Sequence, residues 1–229
     1  MKYITDLLYR QEKAYPIITA HSGCEGTPDN SLEHIRTAIA SGAECLEIDV
    51  HEHNGTLYLT HDAQGNYEGC PTLAQCYELV AADSKMLMQC DCKAFGLAEA
   101  CMKLAEQYGI AHRVLMAGSV GDNEIPVLDQ GKSDWWLSMW RSDHEAEELA
   151  ENCAKLRSMD DRYRMINLDK RMVNDSMLEK IREYDYRLSV WTVNNEEDLR
   201  KFMPVPEIRN ITPRIPVLAL KIRRELYGI

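Results

Sequence analysis

The apolar positions of this chain fall into short runs separated by polar stretches, and the runs follow two different periods. Pro16-Ile17-Ile18-Thr19-Ala20 reads as a buried strand that ends in His21-Ser22-Gly23. Asn30-Ser31-Leu32-Glu33 then carries a helix-start pattern, with Ile35, Ala38 and Ile39 as the apolar face and Gly42 as the stop. The same rhythm recurs. Strands are expected at Cys45 to Val50, Met86 to Cys90, Arg113 to Ala117, Trp135 to Trp140, Arg164 to Leu168, Arg187 to Thr192 and Ile208 to Thr212. Helices are expected at Leu73 to Val80, Leu97 to Tyr108, His144 to Leu156 and Ser176 to Tyr184. Two more follow, one after the cap Asn194-Asn195-Glu196-Glu197 and one in the tail through Leu218, Ile222 and Leu226, while the segment near Pro126 reads as irregular.

Counted with the first run, eight strands nearly all followed by a helix predict an all-parallel sheet. Closure into an eightfold β/α (TIM) barrel is the natural solution. Between His51 and His61 lies one insertion after the second strand, where Asn54-Gly55 separates two strand-like runs and reads as a β-hairpin. An open doubly wound sheet would want a glycine-rich phosphate loop after the first strand, which His21-Ser22-Gly23-Cys24-Glu25-Gly26 fits poorly. At 229 residues the chain is slightly shorter than a typical barrel of about 250, so a single domain over residues 1–229 is expected.

Charge narrows the partners. Lys+Arg 26 against Asp+Glu 37 gives −11 at pH 7, the wrong sign for gripping nucleic acid or anionic lipid over a broad face. The basic run Lys221, Arg223 and Arg224 reads as the solvated face of the tail helix. No apolar stretch approaches the roughly 20 residues a membrane helix needs, so no stable membrane insertion is expected. Met1 to Glu12 shows no apolar signal core, which predicts a cytoplasmic protein with reduced thiols. The eight cysteines contain no CxxC pair, and most read as small core residues.

In a β/α barrel the chemistry gathers where the strands' C-terminal ends meet. The period of two in Cys45-Leu46-Glu47-Ile48-Asp49-Val50 puts Glu47 and Asp49 on one face, and the next strand delivers Asp91 at its end. Left alone, such carboxylates raise one another's pKa, whereas a divalent cation keeps them ionised. Three oxygen donors suit Mg²⁺, Ca²⁺ or Mn²⁺ better than zinc. The other reading is a salt-bridged barrel mouth with Lys93 as counter-ion; in the functional reading Lys93 contacts an anionic substrate. His21 ends the first strand, and His61 ends the hairpin beside Asp62, which can orient an imidazole for proton transfer. His34 and His144 fall on helices and read as surface residues. His51-x-His53 raises a hydrolytic zinc site, which needs further histidines on later barrel strands, but beyond the hairpin only His112 and His144 follow, neither at an expected strand end.

Taken in order, these residues resemble the glycerophosphodiester phosphodiesterase family. That pattern runs His-Arg-Gly, Glu-Asn-Thr, Gly-Ala-Asp, Glu-x-Asp-Val and a hairpin ending His-Asp. Here it reads His21-Ser22-Gly23, Asp29-Asn30-Ser31, Gly42-Ala43-Glu44, Glu47-Ile48-Asp49-Val50 and His61-Asp62. Pro71-Thr72-Leu73, Asp91-Cys92-Lys93, Val190-Trp191-Thr192-Val193-Asn194 and Ile211-Thr212-Pro213 continue the likeness, which spans about residues 16–216. The resemblance implies a metal-dependent phosphodiester hydrolase of lipid metabolism acting on glycerophosphodiesters or a related small phosphodiester. Glu47, Asp49 and Asp91 would hold one divalent cation, Mg²⁺ or Ca²⁺ with Mn²⁺ as a further option. His21 and His61 would form the acid/base pair, and Lys93, Trp191 and Ser22 would contact substrate. In the family's proposed route the glycerol hydroxyl attacks, giving a cyclic phosphate that water opens. Ser22 replaces an arginine, Asp29 and Asp91 each replace a glutamate, and Pro213 replaces an acid; Arg113 or Arg214 could supply the missing cation. Two other expectations stand beside this one: an impaired barrel that binds a phosphorylated ligand, and a phospholipase-D-type lyase on the same scaffold. The oligomeric state is left open.

Overall fold

Parallel backbone pairing carries most of the architecture in the computed structural model, which describes residues 4, 15–131, 133–140, 144–158 and 165–229. The strands are β1 (Ile17–Ala20), β2 (Cys45–His53), β3 (Thr56–Leu59), β4 (Leu87–Cys92), β5 (Val114–Gly118), β6 (Asp134–Trp135), β7 (Leu137–Met139), β8 (Met165–Asp169), β9 (Arg187–Trp191) and β10 (Ile208–Thr212). They run in the order β6-β5-β4-β2-β1-β10-β9-β8-β7, all parallel except β3, which pairs antiparallel with β2. The result is a nearly closed β/α barrel with one hairpin insertion, as the alternation predicts.

The single strand expected from Trp135 to Trp140 is two. It breaks at Trp136, whose side chain is fully buried and whose N–H donates to the Met116 carbonyl at 3.0 Å. One piece, β6, pairs with β5 and the other, β7, with β8, so the break lies at the barrel seam. The strand expected from Arg164 begins at Met165, Arg164 itself lying outside the described residues.

Eight helices cover the strands among the described residues: α1 (Leu32–Ser41), α2 (Leu73–Ala82), α3 (Ala98–Gln107), α4 (Ile125–Gly131), α5 (Glu145–Arg157), α6 (Asp175–Tyr184), α7 (Glu196–Phe202) and α8 (Pro216–Tyr227). Their starts are chemically marked. Ser31, Asn174 and Asn195 accept N–H bonds from the first turns of α1, α6 and α7, and Thr72 with Gln75 forms a reciprocal capping box on α2. The region near Pro126 is helical, not irregular: Pro126 occupies the first turn of α4, where a missing N–H costs nothing.

Inside the barrel the period of two stacks three layers. Ile17, Cys45, Leu115, Trp136 and Met165 plug the bottom with Ile4. Above them runs a hydrogen-bonded polar belt. Thr19 donates to Asn210 at 2.6 Å, Asn210 to Ser189 at 2.8 Å, and Ser189 to Asn167 at 2.7 Å. The top layer holds the acids. Between sheet and helices lies the main apolar core, which takes up most of the cysteines. All eight are free, and only Cys70 is not buried.

Two basic residues lie where the sequence does not place them. Arg113 sits in a short turn before β5 and donates to the carbonyls of Val80, Asp83 and Met86, so it serves the end opposite the acids. Arg223 is buried, not solvated: it donates to the Pro16 carbonyl and to Glu44, tying α8 to the start of β1. Lys221 and Arg224 are exposed as expected.

Candidate active site

Strand β2 turns Glu47 and Asp49 into the barrel mouth, each 4% exposed, and β4 brings Asp91 into register with Asp49. The strand β4 runs one residue past Asp91, so this acid is fixed by backbone pairing on both sides. Carboxylate oxygens of the three lie within 4.8 Å of one another. Gly118 makes this approach possible. At φ +77° it has no side chain, and a Cβ there would stand 2.1 Å from Asp91 Oδ1.

Each carboxylate has a polar partner. Lys93 Nζ lies 2.7 Å from Asp49 Oδ1 and 2.6 Å from Asp91 Oδ2. Glu47 Oε2 accepts the Ser22 N–H at 3.0 Å. Asn30 donates to Asp49 Oδ2 at 2.8 Å and accepts the Asp49 N–H at 3.0 Å, a two-way clasp. With all three acids ionised, their sum with Lys93 is −2, held in a largely buried space. Burial, with repulsion from Asp49 and Asp91, pushes Glu47 well above the usual carboxylate range, and burial raises Asp91 too. Burial also pushes Asp49 upward, but the Lys93 charge and the Asn30 bond outweigh it and leave Asp49 below its ordinary value. A hard divalent cation is the partner that fits a cluster of buried oxygens with this residual charge.

His21 follows β1. Its Nδ1 lies 2.9 Å from the Ser22 carbonyl, which can only accept, so Nδ1 carries the proton and Nε2 is the free basic nitrogen. Burial lowers its pKa, keeping the ring neutral at neutral pH. His61 stands on the open lip, 68% exposed, with Nδ1 2.9 Å from Asp62 Oδ1. Two bonds steady that lip: the Thr60 N–H donates to the Asp49 carbonyl at 3.1 Å, and His51 Nε2 donates to the His61 carbonyl at 3.2 Å.

These groups meet in one cavity of about 490 Å³. Its charged wall carries His21, His61, the acids and Lys93; the opposite wall carries Ser138, Asn167, Trp140 and Trp191, with Arg214 at the edge. Ser22 does not line it. The turn at Gly23, φ +75°, breaks the strand period, and the buried Ser22 Oγ accepts the Asn30 N–H at 2.7 Å. Of the two arginines offered in place of the missing one, Arg214 reaches the cavity and Arg113 does not. Arg214 Nη1 is paired 2.9 Å from Asp29 Oδ1. A second cavity of about 430 Å³ adjoins across His61 and is lined also by Asp29, Asp62, Gln64 and Cys70.

The remaining histidines separate. His34 is buried, contrary to the surface reading, because Nε2 donates to the Glu47 carbonyl at 3.1 Å from the inner face of α1. His144 is exposed as expected. His51 is used at the lip and His53 stacks on Tyr67 with ring centroids 4.9 Å apart, so the HxH pair is not gathered around a zinc position. Among the described residues only Glu47, Asp49 and Asp91 form a metal-ligand grouping of His, Cys, Asp or Glu. Asn30, Gln89, Ser138, Asn167 and Trp140 were not singled out for the site by sequence reasoning. Period-two counting along β4, β7 and β8 could have found four of them; Asn30 works from a loop and carries no periodic signal.

No family model matches the sequence, and no curated protein matches it. Solved structures do. A glycerophosphodiester phosphodiesterase from Thermotoga maritima aligns over 93% of this chain and 100% of its own, with a TM-score of 0.68 and 18% identity. One from Parabacteroides distasonis aligns over 93% and 99%, with a TM-score of 0.67 and 17% identity. A phosphodiesterase from Oleispira antarctica, in complex with the product sn-glycerol-3-phosphate, aligns over 90% and 96%, with a TM-score of 0.66 and 15% identity. The chain therefore has the barrel fold of glycerophosphodiester phosphodiesterases over nearly its whole length.

Proposed function

We propose that this chain is a cation-dependent phosphodiesterase acting on a glycerophosphodiester or a related small diester. The observation that carries the reading is the meeting of three carboxylates, two of them buried and Asp91 half-buried, with Lys93, Arg214 and two histidines around one cavity at the barrel mouth. The shared fold adds support, as does the sn-glycerol-3-phosphate held by the Oleispira antarctica phosphodiesterase.

Glu47, Asp49 and Asp91 would hold Mg²⁺, Ca²⁺ or Mn²⁺, which when bound supplies charge stabilisation to the phosphoryl oxygens. The chain's own groups do the rest. Lys93 and Arg214 attract the anionic diester and stabilise charge on its non-bridging oxygens. His21 Nε2 takes the proton of the attacking oxygen, the substrate's glycerol hydroxyl or water, as the new P–O bond forms. His61 gives a proton to the leaving alcohol oxygen as the old P–O bond breaks. Where the glycerol hydroxyl attacks, the product is a cyclic phosphate, which water opens with the two histidines exchanging roles. Trp140 and Trp191 form an apolar wall for the substituent.

Purified protein should release an alcohol and a glycerol phosphate from glycerophosphodiesters only with a divalent cation present, and chelation should stop it. His21→Ala and His61→Ala should each lower kcat by about 10²–10⁴-fold. Turnover absent with every cation, or surviving the loss of both histidines, overturns the proposal.

A binding-only role is the second reading, favoured by Lys93, whose ammonium already bridges Asp49 and Asp91. Calorimetric binding of a phosphorylated ligand without any product would establish it. The lyase variant is favoured by Trp140 at the mouth, 53% exposed, and would declare itself by a cyclic phosphate as end product from a lysolipid. No described helix is long and apolar enough to cross a membrane.

A further inference from the structure

Four side chains that β2 and β4 turn into the mouth form a rectangle. Register pairs Glu47 with Gln89 and Asp49 with Asp91, so the Cα atoms at the corners are about 4.8 Å apart across the strands and about 6.6 Å apart along them, and the side chains converge from there. Three corners are carboxylates. The fourth, Gln89, is 3% exposed and lines the same cavity, yet its Oε1 is buried without a hydrogen-bond partner.

A buried amide oxygen left unpaired is costly, and its neighbours cannot relieve it. Carboxylates in the ionised form that a cation binds only accept. The ammonium of Lys93 is engaged by Asp49 and Asp91. What is missing at this corner is a hydrogen-bond donor or a cation. The charge count points the same way. Three acids and one ammonium leave −2, already matched to a divalent ion; a fourth acid would overshoot, whereas an amide oxygen adds a donor without adding charge. Hard divalent cations take six or more oxygens and accept neutral carbonyls among them.

We propose that Gln89 Oε1 is a neutral oxygen donor to the divalent cation held by Glu47, Asp49 and Asp91, an inference that rests on the cation-dependent reading above. It makes Gln89 a determinant of cation affinity.

The test is calorimetric titration of the chelator-stripped full chain with Mg²⁺ and with Ca²⁺, alongside thermal melts of the same samples without cation. Gln89→Met keeps the length and removes the oxygen; Gln89→Asn retracts the oxygen by one methylene; Glu47→Gln is the control for the cation site. Gln89→Met should weaken cation binding about tenfold or more, the scale found for residues that support metal sites. Its metal-free Tm should stay level or rise, because the unpaired oxygen is gone. Gln89→Asn should weaken binding in the same direction. Wild-type affinity in Gln89→Met, with Glu47→Gln weakened, overturns the role of Gln89 and leaves the cation site standing. A lowered metal-free Tm in Gln89→Met makes the residue structural and also overturns it. No cation binding by the wild-type chain overturns both this inference and the function proposed above.

Discussion

His34 places a fully buried imidazole behind the acidic cluster, its Nε2–H given to the Glu47 carbonyl. Burial pushes its pKa from the ordinary 6.5 down to about 4. Between those values the unfolded chain binds a proton that the folded chain refuses, so stability falls as pH falls through that window, by about 3 kcal/mol at most. His34→Gln keeps a donor for the carbonyl and removes the titration. Urea unfolding at pH 7 and pH 4.5 should show a smaller loss for this variant than for wild type; equal losses would rule His34 out as the source. The raised pKa of Glu47 acts in the opposite sense in both proteins and cancels in the comparison. Gly118→Ala is the steric counterpart. A Cβ there meets Asp91 Oδ1 at 2.1 Å and the Cys92 carbonyl at 2.5 Å, so the variant should lose cation affinity and more than about 1 kcal/mol of stability. Gly109→Ala, at φ +70° with nothing within 4 Å, isolates the backbone cost alone. Glu47 and Asp49 were legible in the sequence because strand alternation fixes where they point. Ser22 and Asn30 were not, because both lie beyond the end of β1, where hydrogen bonds between loop and strand replace any period.

The hairpin of β2 and β3 shows an element with two duties. β2 holds the acids, and β3, returning antiparallel from the turn, brings His61 back beside them at the lip. The turn is built from Asn54 at φ +51° and Gly55 at φ +78°, the backbone that the Asn-Gly pair announces. Replacing both by alanine should loosen the lip without moving the acids. The expected outcome is a several-fold fall in kcat with cation affinity unchanged, read by steady-state kinetics and calorimetry; a parallel loss of cation binding would show that the hairpin also shapes the cluster. Helix starts were equally legible, since Ser31, Thr72 and Asn195 advertise themselves. The split of the fifth expected strand was not. Trp135 and Trp136 are both apolar and both buried, so no local polarity marks the seam where β6 leaves β5 and β7 joins β8. Pro126 misled for a different reason: proline breaks a helix in its middle but suits its first turn.

At the scale of the molecule, the chain closes on itself far from any sequence neighbour. Thr19 meets Asn210 inside the barrel, and Arg223 reaches from α8 to the Pro16 carbonyl outside it. We propose on this ground that the described residues form one cooperative unit. Thermal unfolding followed by far-ultraviolet and near-ultraviolet circular dichroism should give coincident transitions; separated transitions would divide the chain in two. The net charge of −11 finds local use in this arrangement, because three of its acids make a place for a cation. The packing also sorts the sulfurs. Seven cysteines are buried, Cys24 pushed up to about 11 and Cys45 to about 12 by burial, while Cys70 stands partly open on the cavity that adjoins His61. A maleimide dye offered to the folded protein therefore meets a single accessible thiol, and the native sequence already carries an attachment point for a fluorescent reporter of events at the lip.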